Sequence, residues 1–145
     1  MRRIVTVAAA FVVAVGVVAM AQTKITTIEE HVKLMKSNAQ SVGAVNKAIA
    51  AMMYADARTQ LATLRQNFVT LQGFWNERKR DDASKIVKDA LTNIDALDKM
   101  LAAPTVDQAA AQAAVKTVQG ACGGCHKMYR EGDAQSGFKF REGVF

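Results

Sequence analysis

Four stretches of this chain repeat apolar residues at alternating steps of three and four, and a single proline, Pro104, interrupts its 145 residues. That spacing keeps one face of an α-helix apolar, and no Asn-Gly or Asp-Gly turn offers the alternative of an antiparallel hairpin. The first series runs from Ile28 through Val32, Met35, Ala39, Val42, Asn46, Ile49 and Met53, entered by a capping box of Thr26 with Glu29 or Thr27 with Glu30. A break near Tyr54 and an N-cap at Asp56 precede the second series, Ala57, Leu61, Leu64, Phe68, Leu71 and Trp75. The third helix is expected to begin at Asp81 or Asp82, carry Ile86, Ala90, Ile94, Leu97 and Leu101 inward, and stop before Pro104. The fourth is expected to open on Thr105 and Gln108 as a capping box and to present Ala111, Val115, Val118, Cys122, Cys125 and Tyr129 until Gly132 ends it. Four amphipathic helices with short connections predict an all-α fold, an up-down-up-down four-helix bundle.

The last of these seams carries Cys122-Gly123-Gly124-Cys125-His126, the C-x-x-C-H run that attaches c-type haem. Two thiols add to the haem vinyl groups as thioethers, and the adjacent imidazole supplies an axial ligand to the iron. On a helix Cys122, Cys125 and His126 stand at i, i+3 and i+4, so they share one face and meet one flat cofactor. A thioredoxin-like dithiol would need a βαβ setting, whereas the flank here is alanine-rich and helical. A structural zinc site would need four ligands, and the only other candidate, His31, lies about ninety residues away in the chain. The expected cofactor is therefore one covalent haem c, held through Cys122 and Cys125 with His126 proximal.

The N-terminus supplies the setting. Arg2 and Arg3, the apolar run from Ile4 to Ala19, and Ala19-Met20-Ala21 read as the three regions of a signal peptide cleaved after Ala21. The run is shorter than the roughly twenty residues a membrane span requires, so no stable membrane insertion is expected after cleavage. Residues 22–132 then form the cytochrome domain and 133–145 a C-terminal extension with three phenylalanines, which could pack over one end of the bundle. The formal charge of +6 falls by two when Arg2 and Arg3 leave. No basic stripe with interleaved aromatics indicates nucleic acid.

In such a bundle the start of the first helix lies beside the end of the fourth. Met35, about two turns in or ~12 Å, can then face the haem opposite His126 as distal ligand. Alternating helix directions bring Phe68, Leu71, Trp75, Ile86 and Val87 to the same end as apolar pocket neighbours. His31, one turn before Met35, reads as solvated. Arg78, Lys79 and Arg80 join Lys127 and Arg130 at this end, a surface suited to an acidic redox partner.

The Met-bearing first helix and the closing C-x-x-C-H-x-x-Tyr-Arg run, Cys122 to Arg130, resemble the class II c-type cytochromes, the cytochrome c′ family. In that family the position of Met35 either faces a vacant iron site or ligates the iron, and Lys33-Leu34-Met35-Lys36 is more similar to the low-spin, ligating branch. The resemblance implies that Arg130 lies near the haem and is compatible with a homodimer. It departs from the family pattern at His31, where an arginine is common, in a shorter loop between the second and third helices, and in a longer tail. Together these readings imply an exported, periplasmic electron-transfer protein rather than an enzyme. The alternative is a five-coordinate haem protein that binds NO or CO.

Overall fold

The computed structural model describes residues 24–133, 135 and 137–145, so the expected signal peptide lies outside the described residues. Four helices follow one another as α1 (Ile28–Ala50), α2 (Tyr54–Glu77), α3 (Asp81–Leu101) and α4 (Gln108–Tyr129). Each packs on its neighbours in the chain, and α4 closes the ring against α1. Short connections force neighbouring helices to run antiparallel, which gives the up-down-up-down bundle. One end of it collects the start of α1, the end of α2, the start of α3 and the end of α4.

The core is built largely from the predicted seams, with the main change in α1. Ala57, Leu61, Leu64, Phe68, Leu71 and Trp75 of α2 are all buried, as are Ala90, Ile94, Leu97 and Leu101 of α3 and Ala111, Val115 and Val118 of α4. Full burial of each large aliphatic among them contributes about 1.5–3 kcal/mol. In α1 the stripe keeps Val42 and Ile49 but continues through Asn38 and Val45 rather than Ala39 and Asn46. Ile28, Val32 and Met53 are exposed. The shared residues have neighbours three and four positions away on both flanks, and polar Asn38 and Ser41 disguise the flank that turns inward.

The helix ends explain where the breaks fall. Thr27 caps α1 in a full capping box with Glu30. At its other end Met52 takes φ 56°, and the Met53 and Met52 N–H groups donate to Ala48 O and Ile49 O, a Schellman stop without glycine. Lys79 at φ 54° ends α2 in the same way, with Arg80 N–H on Trp75 O and Lys79 N–H on Asn76 O. Two expected N-caps differ. The N-cap of α2 is Met53, without a side-chain bond, rather than Asp56. That of α4 is Asp107, which accepts from the Ala110 N–H, rather than Thr105. Gln108 instead donates to Ile49 O and Ala50 O at 2.8 and 3.1 Å, closing the C-terminus of α1. Arg58 and Arg65 of α2 each grip an aspartate of α3, Asp98 and Asp95, through two nitrogens.

Helix α4 ends at Tyr129 rather than at Gly132. The chain passes straight into β1 (Arg130–Asp133), which pairs antiparallel with β2 (Gly137–Phe140). Gly132 and Gly137, both at positive φ, lie opposite Phe138 and Asp133 in this ladder. The chain after β2 folds back on the bundle, burying Val144.

Candidate haem site

Cys122, Cys125 and His126 occupy the last two turns of α4, half-buried and on one face. Both thiols are free. Burial raises the Cys122 thiol, and burial together with the charges of Cys122 and Asp82 pushes Cys125 up to about 11. Both sulfurs are thus protonated thiols at neutral pH. Burial, with the nearby charge of Arg130, lowers His126, which keeps its imidazole neutral and able to ligate. Among the described residues no three His, Cys, Asp or Glu side chains converge on one point that could hold a bare metal ion. Two thiols spaced along a helix face and an imidazole beside them suit a wide, flat group.

Glycine at two helical positions costs about 1 kcal/mol each relative to alanine. The protein itself does not demand them. A Cβ at Gly123 would meet nothing within 4 Å, and one at Gly124 would touch only Ile86 Cδ1 at an ordinary 3.7 Å. The space they leave is open for a group lying against α4.

Across from α4, Met35 is partly buried against the core, seven residues inside the start of α1 or about 10 Å. Cys122 lies at the same depth from the end of α4, and His126 about 5 Å from that end. Helical side chains lean toward their own N-terminus, so Met35 leans outward and His126 inward, toward a common level. Trp75, Phe68, Leu71 and Val87 are buried and Ile86 half-buried. Trp75 packs against Tyr129 with ring centroids 4.6 Å apart and the planes tilted by 37°, tying the end of α2 to the turn that carries His126. The Tyr129 hydroxyl donates to Asp82 Oδ1, and burial with this bond moves its pKa up to about 12. Phe68 lies deeper, about 13 Å from the end of α2.

A family model described as Cytochrome C′ matches residues 17–130. The chain belongs to the cytochrome c′ family. Neither the curated proteins nor the solved structures gave a match. Membership makes this a c-type cytochrome, a family that carries haem c in covalent linkage. The residues present fit that group, since the two thiols, the neutral imidazole and the glycine-lined space lie together on α4.

Several residues of this cytochrome's site were not legible as such. His31 is not solvated: its ring lies 4.5 Å from that of Phe140 and 5.3 Å from that of Phe74. Burial, helped by the charge of Arg78, lowers its pKa to about 4. Phe74 is buried beside Trp75, one position off the seam. Its carbonyl accepts from Arg78, whose guanidinium lies 3.6 Å over the Phe74 ring and 4.7 Å over that of Phe145. Arg80 donates to Gly143 O at 2.9 Å. Arg78 and Arg80 therefore anchor the tail and are not free surface charges. Arg130 lies 3.9 Å over Phe138 of the hairpin, and its charge reaches His126.

Proposed function

We propose that this cytochrome is an exported mono-haem electron carrier, with haem linked to Cys122 and Cys125, His126 as proximal ligand and Met35 as distal ligand. The observation that carries the reading is the antiparallel pairing of α1 with α4, in which Met35 and His126 lean toward one level from opposite walls. When bound, the haem iron supplies a one-electron couple, and a thioether ligand favours its ferrous form. The protein's part is to fix the geometry. Cys122 and Cys125 anchor the ring, and Trp75, Leu71, Val87 and Phe68 supply an apolar wall that excludes water and helps set the potential.

Met35 and His126, held on rigid helices, would keep the same ligand set in both oxidation states, which suits electron transfer rather than turnover of a substrate. A signal peptide ending at Ala21 would deliver the chain to the periplasm, the compartment typical of the family. No helix among the described residues is long and apolar enough to cross a membrane. The partner in this reading is an acidic redox protein that meets the basic end of the bundle.

Met35→Ala tests the ligand assignment. The variant keeps its covalent haem but changes from low-spin to high-spin and gains affinity for exogenous ligands. A variant whose spectrum matches the parent's would remove Met35 from the iron.

A further inference from the structure

All but the first residue of the C-terminal hairpin lies beyond the family match, which ends at Arg130. Phe140 is the residue through which it meets the bundle. Its ring lies 4.5 Å from His31 of α1, 6.1 and 6.4 Å from Phe74 and Trp75 of α2, and 5.4 Å from Phe145. Three further bonds hold the segment in place. Arg141 N–H donates to Tyr129 O at 3.0 Å, its guanidinium to Lys127 O at 3.3 Å, and Arg80 to Gly143 O at 2.9 Å.

His31 stands one turn outside Met35 on α1. The cluster of His31, Phe74 and Phe140 therefore spans the gap between α1 and α2 at the end of the bundle, directly outside the Met35 side of the haem site. A molecule entering between α1 and α2 at that end meets these rings first. Rings in contact leave no standing gap, yet a two-stranded ribbon of four-residue strands is a weak structure, the kind of element that opens locally. Ring motion alone would admit a diatomic molecule. A bulkier one would require the hairpin to lift.

We propose that Phe140 determines, by size, which small molecules reach the axial position on the Met35 side of the haem. The inference rests on haem being held by Cys122, Cys125 and His126. It does not rest on Met35 being a ligand.

The test uses the full-length holoprotein carrying Met35→Ala, with haem attachment verified by mass. Association rates of carbon monoxide and of tert-butyl isocyanide with the ferrous protein are compared with and without Phe140→Ala, and with Phe140→Leu as a milder variant that keeps an apolar plug. Loss of one aromatic contact lowers the entry barrier enough to speed the isocyanide about tenfold, while carbon monoxide stays within about twofold. Phe140→Leu falls between. Equal acceleration of both molecules, which general loosening would produce, overturns the proposal, as does no acceleration of either. If the parent already binds carbon monoxide rapidly, the Met35 reading fails and the same size comparison is made in the parent. Absence of covalent haem would overturn both this proposal and the functional reading.

Discussion

A histidine half-buried between two phenylalanine rings resists protonation, and this makes His31 a source of acid sensitivity. Its folded pKa of about 4 lies below the ordinary 6.5, with burial the main cause and the charge of Arg78 adding to it. The unfolded chain therefore binds the proton first as pH falls. The contribution is fully present above pH 6.5, is lost progressively down to about pH 4, and is constant below that. The loss is on the order of 2 kcal/mol. Thermal melts of the holoprotein at pH 7 and pH 4.5 should show a smaller drop for His31→Leu than for the parent, and equal drops would contradict the assignment. The sequence could not reveal this burial, because what covers His31 is Phe140, more than a hundred positions along the chain. Cys122, Cys125 and His126 were legible because their chemistry is written in five consecutive residues.

The stops of α1 and α2 both use a left-handed residue that is not glycine, Met52 and Lys79. A side chain there costs about 1–2 kcal/mol, partly offset by the greater freedom glycine gives the unfolded chain. Met52 is two-thirds exposed. Met52→Gly should therefore raise stability by about 0.5–1 kcal/mol in chemical denaturation, with an unchanged slope. A loss of stability would mean that the Met52 side chain contributes packing the fold needs. These stops also show why helix breaks were harder to read than helix faces. Neither proline nor glycine marks them, so the end of α1 had to be inferred from length. The faces of α2, α3 and α4 followed the apolar pattern because their inward residues are nearly all apolar. In α1 the inward Asn38 and Ser41 broke the signal and shifted half the stripe. The C-terminal extension was legible only as three phenylalanines that could pack over one end of the bundle, and its hairpin was not foreseen.

Over the whole molecule, positive charge gathers at the end that carries the candidate haem site. Arg78, Arg80, Arg130 and Arg141 there take ring faces or backbone carbonyls, whereas Arg58 and Arg65 elsewhere in the bundle are each paired with an aspartate. Lys79 and Lys127 are exposed beside them and make no ion pair among the described residues. They are the cleaner probes of docking, because Arg78 and Arg80 also hold the tail. Lys79→Glu with Lys127→Glu should slow electron transfer to an acidic partner at low ionic strength, and the difference should fade as salt is added. An unchanged rate at low salt would place the docking face elsewhere. If Met35 and His126 together saturate the iron, the visible absorption spectrum of the reduced protein is that of low-spin ferrous haem and carbon monoxide leaves it unchanged. A high-spin ferrous spectrum that shifts at once on adding the gas would show instead that the Met35 side of the iron is open.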